Sequence, residues 1–369
     1  MIKIAVLPGD GIGAEVTMAA IPVLNALNIP VELSFGDIGW TFWQKEGNPI
    51  PERTWELIKQ ADATLLGATT SKPEREAVAE LAGELKQTKL QYVSPIIQLR
   101  QQLDLFANVR PCFNIKEEGP DFNFCVIREN TEGLYSGFDY YPPPPEIQSL
   151  LGKKSAWREI PRNEISCSLR LQTKKGLMRI FRFAFNYATC QHMSRVTLAD
   201  KPNVLRQSGA FAREIFESVA SDYPQIKADI LNVDAVGLWL VRRPEEFGVI
   251  VAENMFGDIL SDVGAGIMGG LGFAPSANLG QQSGYFEPVH GSAPRIKARS
   301  ANPSAMFLTI GLLLNHLGYA KQADKIKRAV TQVIKECRFV SYDLGGNSTT
   351  EEMAKAIIDY CTHGVANEK

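Results

Sequence analysis

The chain has 369 residues, 45% hydrophobic and 22% charged, which excludes a disordered polymer and points to two domains or one large α/β unit. Its 39 basic and 41 acidic residues leave a formal charge of −2 with no block of five like charges, so the electrostatic footprint of a general nucleic-acid binder is missing. The longest apolar runs, such as residues 305–314, fall short of the roughly 20 residues that a bilayer span requires, and no membrane partner is expected.

Residues 2–7 read as a short apolar strand entering the turn Pro8-Gly9-Asp10-Gly11-Ile12-Gly13, and residues 14–27 carry helical spacing. This apolar run is too short for a signal peptide, whose hydrophobic core spans ~7–15 residues. Residues 31–35 predict a strand, 52–60 a helix, and 63–67 a buried strand ending in small residues. Strands alternating with helices imply a largely parallel sheet covered on both faces. Helical periodicity returns over 99–105, and 124–127 predicts another strand. Tyr140, Tyr141 and the prolines at 142–145 interrupt the pattern; consecutive prolines are not expected to join a helix or a central strand, so the stretch to about Pro161 is predicted as an exposed loop or arm. Both a dimer arm and a surface insertion fit that composition. Beyond it, 174–190 has the pattern of a basic amphipathic helix, 196–199 of a strand, 209–223 of a helix and 247–252 of a strand. Residues 268–284 are glycine-rich and poor in charge, which suits turns, and 302–317, 320–337 and 351–360 predict three more helices. No linker divides the chain, so two domains would require more than one crossing. Six cysteines without CxxC spacing argue against a disulfide framework or zinc site, and for reduced thiols in the cytoplasm.

Five features are placed to carry chemistry. The glycine turn at 9–13 follows a strand and precedes a helix, but its spacing is not GxGxxG, which favours a tight turn over a dinucleotide site. Asp258 and Asp262 stand four residues apart in NMFGDILSDVGAG, so on a helix both carboxylates share a side. A hard divalent cation, Mg²⁺ or Mn²⁺, would remove their repulsion; the alternative is a solvated face, which the apolar Phe256, Ile259, Leu260 and Val263 weaken. Arg100, Arg110 and Arg128 are separate surface charges or, near one cleft, forks for substrate carboxylates. Lys201 directly follows an apolar strand, where α/β sites form and where partial burial turns a lysine into a base. The segment 286–295, FEPVHGSAPR, is a stiff polar loop whose backbone and histidine suit a nucleotide.

Together, LPGDGIGAEV, LFANVRP, VIRENTEGLYSG, TLADKPNVL, NMFGDILSD, YFEPVHGSAP, ANPSA and DLGG, in this order and nearly end to end, resemble the β-decarboxylating dehydrogenases: isocitrate, homoisocitrate and 3-isopropylmalate dehydrogenases and their tartrate/malate-type relatives. The resemblance implies an α/β, two-domain, isocitrate/isopropylmalate dehydrogenase-like fold rather than a conventional Rossmann unit. Residues 1–105 and 268–369 would form the large cofactor-side domain. Residues 106–267 would form the central substrate and dimerisation domain, with an arm around 140–168. It implies a homodimer, or a tetramer built from it, whose sites are shared between subunits. Carried over by position, Arg100, Arg110 and Arg128 clamp the malate-type carboxylate of a small hydroxy acid, Tyr135 is the proton donor, and Lys201 is the base lent to the neighbour. Asp258 and Asp262 are metal ligands of the same subunit and Asp234 is the ligand lent by the neighbour. His290, Gly291, Ser292, Ala293 and Asn302 form the adenosine side of an NAD or NADP site.

Two departures stand out. NAD-using members of the family carry an acidic residue directly after HGSAP; here it is Arg295, followed by Lys297 and Arg299, whereas DLGG at 343–346 resembles the NAD type. The segment 140–168 fits the family poorly. Within the family, Ser94 is placed to meet a distal carboxylate, favouring isocitrate or homoisocitrate, whereas Ile96 and Ile97 are placed to cover the isopropyl group of 3-isopropylmalate. A catalytically silent regulatory subunit is the rival of another class, and the retained Tyr135, Lys201, Asp234, Asp258 and Asp262 argue against it.

Overall fold

A computed structural model describes residues 1–117 and 119–364. Among them, β1 (Ile2–Gly9), β2 (Val31–Phe35), β3 (Ala63–Ala68), β4 (Ala107–Phe113), β5 (Asn123–Glu129), β6 (Asp139–Tyr140), β7 (Cys167–Ser168), β8 (Arg195–Asp200), β9 (Lys227–Asn232), β10 (Val249–Ala252), β11 (Pro275–Leu279) and β12 (Gly284–Pro288) alternate with helices. Ten of these strands make one sheet in the order β2-β1-β3-β12-β11-β4-β5-β10-β8-β9. Residues 2–68 and 275–288 supply one half of it, residues 107–252 the other, and the antiparallel β11–β4 pair joins them. Six of the strand pairings are parallel, and every residue of β3 and of β10 is buried, as expected where helices cover both faces. The fold is the predicted α/β class with a mainly parallel sheet.

Local pattern explains most helices. The helix Lys174–Cys190 buries Leu177, Ile180, Phe181, Ala184, Phe185 and Ala188, an i, i+3, i+4 stripe, and the Thr173 side chain caps it by accepting from the Gly176 N–H at 3.0 Å. The helix Ser304–His316 is apolar nearly all round and correspondingly buried, lying between the sheet and the helix Ala320–Glu336. The helix Asn254–Met268 lies across β4 and β5. A Cβ on its Gly257 would come 2.7 Å from the Arg128 side chain, so only glycine lets this helix approach the strand so closely.

The structure departs from pattern reading in several places; the helix read over 99–105 runs Pro95–Gln102, and β4, β9 and β12 were not read as strands. The helix expected over 14–27 is two, Ile12–Ala20 and Pro22–Ala26, because Pro22 interrupts the hydrogen-bond ladder and opens a new first turn. The proline-rich stretch is not a plain loop. Pro145 opens the helix Pro145–Leu151, where its missing N–H is not needed, Ser155–Arg158 makes another turn, and β6 pairs antiparallel with β7. The glycine-rich segment hides the buried strand β11, whose Pro275 sits at the strand's first residue, where a proline is tolerated. The helix expected from 302 starts at Ser304, since a residue before a proline is pushed out of the helical region. The helix expected from 209 starts at Arg206.

Candidate active site

Parallel strands β5, β10, β8 and β9 present their carboxyl ends at one edge, and the chemistry-bearing residues emerge there. In the β4–β5 ladder Asn108 stands opposite Arg128 and Arg110 opposite Val126, so alternation puts both arginines on one face, beneath the helix Asn254–Met268. Arg110 donates from Nε to Asn108 Oδ1 at 2.8 Å, from Nη1 to Ser261 Oγ at 2.7 Å and to Asp262 Oδ1 at 2.9 Å, and lies 3.5 Å from Asp258 Oδ1. Arg128 donates to Asn254 Oδ1 at 2.9 Å and pairs directly with Asp258. Arg100 approaches from the helix Pro95–Gln102, reaching the Tyr285 hydroxyl at 3.3 Å and Glu287 at 3.6 Å.

Arg128 feels the charge of its neighbours. Burial, then the charge of Arg100, push Arg128 down to about 10, which still leaves it cationic at neutral pH. Burial also opposes the charge of Arg100, but Tyr285 and Glu287 outweigh it and hold this residue above its ordinary value. Tyr135 completes the cluster. Its hydroxyl donates to Asp258 Oδ2 at 3.3 Å and its ring lies 5.6 Å from the Arg128 guanidinium. Burial, then the Asp258 charge, raise the phenol above its usual range, which keeps its proton in place.

Lys201 and Asp234 form a second, separate pair. Paired strands β8 and β9 end in register at Asp200 and Asn232, which brings Lys201 and the first turn of the helix Val233–Arg242 together. The two side chains are in direct contact, and that hydrogen bond from Lys201 holds the Asp234 carboxyl below its usual range. Asp258 and Asp262 offer two hard oxygen donors on one helix face, suited to a divalent cation, but among the described residues no three histidine, cysteine or acidic side chains gather as a metal site.

The 290s loop packs on the glycine turn. The Ile12 N–H donates to the Ser292 carbonyl at 3.1 Å, Ser292 Oγ meets Thr70 Oγ1 at 2.7 Å, and a Cβ on Gly11, whose φ is 56°, would fall 2.2 Å from the Ser292 carbonyl oxygen. The turn is thus a close-packed support for the loop. Ala293 takes a left-handed φ of 42°. His290 Nδ1 lies 3.1 Å from the Gly291 carbonyl, while its buried Nε2 has no partner among the described residues; burial lowers this imidazole and keeps it neutral. An orphaned ring nitrogen beside exposed Gly291 is a contact in search of a ligand. Asn302 donates to Asp343 Oδ2 at 3.0 Å, joining the 343–346 segment to this loop. Arg295 and Lys297 are exposed, whereas Arg299 is engaged by Glu351 at 3.2 Å. Sequence reading missed Asn108, Asn254, Ser261 and Glu287; Asn108 shares a strand face with Arg110, but no strand was read over 107–113.

A family model described as isocitrate/isopropylmalate dehydrogenase matches residues 3–357. The chain is 66% identical over 360 residues to Protein DlpA of Legionella pneumophila subsp. pneumophila, covering 98% of this chain but only 58% of that protein's length. It is 41% identical to a 3-isopropylmalate dehydrogenase of Methanothermobacter thermautotrophicus, covering 96% and 97% of the two chains. Among solved structures, isocitrate dehydrogenase from Methylococcus capsulatus superposes with a TM-score of 0.84 at 36% identity, covering 98% of this chain and 100% of that one. With the matched residues spanning nearly the whole chain, the protein belongs to the isocitrate/isopropylmalate dehydrogenase family, a group of β-decarboxylating dehydrogenases.

Proposed function

We propose that this chain carries out metal-dependent, NAD(P)-linked oxidative decarboxylation of a 2-hydroxy-3-carboxy acid, isocitrate or homoisocitrate, in a homodimer with shared sites. The convergence of Arg110, Arg128 and Tyr135 on Asp258, with Arg100 held by Tyr285 and Glu287, carries the reading. In the structure Asp258 and Asp262 neutralise Arg110 and Arg128; with those carboxylates engaged by a cation, the guanidiniums would be free to grip a polycarboxylate. Lys201, in its neutral form, accepts the hydroxyl proton, and Tyr135, held protonated, returns one to C3 after CO₂ leaves. Asp258 and Asp262, with Asp234 of the partner subunit, would hold a divalent cation, Mg²⁺ or Mn²⁺, which would supply positive charge to acidify the substrate hydroxyl. NAD(P)⁺, bound against His290, Gly291, Ser292, Ala293 and Asn302, supplies the hydride acceptor.

Shared sites are supported by the surface. Exposed Leu238, Trp239 and Val241 lie on the helix bearing Asp234, and exposed Ile259 on the neighbouring helix bearing Asp258. An apolar patch on those two helices suits a second copy of the chain. The cleft then lies between residues 1–105 with 268–369 and residues 106–267. Six free cysteines suit the cytoplasm.

The Ser94 hydroxyl accepts from Ser71 at 3.1 Å, and Ser71 lies 3.2 Å from the Tyr92 hydroxyl, so a polar hydroxyl cluster faces the start of the helix that carries Arg100. This favours a distal carboxylate. The second reading, 3-isopropylmalate, rests on Ile97, 47% exposed and three residues before Arg100. A steady-state comparison of isocitrate, homoisocitrate, 3-isopropylmalate and malate decides between them. Ser94→Ala is expected to lower kcat/KM for the tricarboxylic acid by about tenfold, ~1.4 kcal/mol, and to leave 3-isopropylmalate unaffected. Equal losses for both acids would remove Ser94 from recognition.

Exposed Arg295 and Lys297 stand beside the adenosine loop and favour a 2′-phosphate, so the chain accepts NADP⁺. Arg295→Asp is expected to shift the NADP⁺/NAD⁺ ratio of kcat/KM downward by about tenfold. An unchanged ratio would assign cofactor choice to the 343–346 segment.

A further inference from the structure

Arg170 lies outside every motif singled out above, between β7 and the helix Lys174–Cys190, with its side chain 14% exposed. Its Nη2 donates to Asp200 Oδ1 at 2.9 Å, its Nε lies 3.9 Å from Glu253 Oε2, and its guanidinium sits 5.3 Å from the centre of the Phe256 ring. Nε and Nη1 are buried without a hydrogen-bond partner among the described residues.

What these partners hold is informative. Asp200 is the last residue of β8, immediately before Lys201. Glu253 caps the helix that carries Asp258 and Asp262, accepting from the Phe256 N–H at 3.2 Å, and its other oxygen accepts from the Leu134 N–H at 3.4 Å, directly before Tyr135. Leu171, next to Arg170, exchanges backbone hydrogen bonds of 2.7 and 3.2 Å with Gly133, on the same loop as Tyr135. The Asp200 and Glu253 side chains are 4% and 3% exposed, and they line one small cavity with Glu129 and Glu132. Buried like charges of this kind persist only around a shared counter-charge, and Arg170 borders both. Its planar fork has donors to spare for two carboxylates at fixed directions, which a lysine ammonium lacks.

We infer that Arg170 is a positioning residue that couples the half-site a chain keeps, Tyr135 and Asp258, to the half-site it lends, Lys201 and Asp234. The coupling rests on the shared-site reading above. A purely structural ion pair would cost stability when altered and leave turnover of the folded enzyme alone.

The test uses the full chain with Arg170→Lys, which keeps the charge and loses the fork, and Arg170→Gln, which loses both. Arg170→Lys is expected to melt within a few degrees of the parent yet show kcat reduced about tenfold, with KM for NAD(P)⁺ little changed, the pattern of displaced reacting groups. Arg170→Gln should lose both melting temperature and kcat. An Arg170→Lys enzyme with parental kcat overturns the proposal.

Coupling is read from mixed dimers. Lys201→Met and Asp258→Asn chains, mixed as a control, should regain activity. Arg170→Lys mixed with either of them should regain several-fold less than the control, because it lends a misplaced Lys201 and keeps a misplaced Tyr135. Recovery equal to the control with one partner would show that Arg170 serves one half-site alone and would end the coupling claim. Failure of the control after confirmed subunit exchange would overturn shared sites instead, and with them the coupling across subunits; the kcat of Arg170→Lys alone would still decide whether Arg170 positions reacting groups.

Discussion

Replacing Asp258 by asparagine is expected to lower kcat/KM by about three orders of magnitude, ~4 kcal/mol, the scale of losing charge stabilisation at the reacting centre. The carboxylate meets Arg128 directly, Arg110 at 3.5 Å and the Tyr135 hydroxyl at 3.3 Å, so it sits where the proposed substrate clamp, proton donor and cation site adjoin. Asparagine keeps the shape and an acceptor oxygen, and the helix packing through Gly257 is untouched, so the fold should survive. Asp262, 56% exposed and bound among the described residues to Arg110 alone, at 2.9 Å, should show a smaller loss and a larger recovery at high Mn²⁺. Titration with Mg²⁺ or Mn²⁺ after EDTA treatment is the measurement. Full turnover of the metal-stripped parent enzyme would sink the cation role of both residues.

Lys201→Met is the second large effect, with kcat expected to fall by ~10²–10⁴, the range for losing a general base. NAD(P)⁺ affinity should hardly move, since Lys201 and Asp234 form their own pair and the cofactor loop stands on other elements. Mixing with Asp258→Asn tests the sharing. Random exchange in a two-fold dimer puts about half the dimers in mixed form, each with one intact site, so about a quarter of parental activity should return. A mixture that exchanges subunits and stays inactive would mean that each chain holds a complete site.

Much of this site was legible because it is built from short periods. Asp258 and Asp262 at i, i+4 announced a shared helix face, whereas Asn108 and Arg110 at i, i+2 share a face of a strand that was not read. The helix Lys174–Cys190 could be read to its ends because its apolar stripe and Thr173 cap are local. Residue types constrained the chemistry too: paired carboxylates ask for a hard cation, and arginine forks for carboxylates.

Tertiary structure decided what depends on distant segments. That β11 and β4 join the two halves of the sheet could not be read from either segment, since pairing partners leave no periodic trace in a single strand, and glycines around 275–279 masked the strand itself. Glu287 became a partner of Arg100 only because β12 pairs with β3 and β11. Arg170 carried no motif at all; its place between Asp200 and Glu253 arises where the ends of β8 and β10 lie side by side. The separation of Lys201 and Asp234 into a pair of their own likewise follows from the register of β8 with β9. Local periodicity determines which face a side chain takes; sheet order, set by long-range burial, determines which side chains meet.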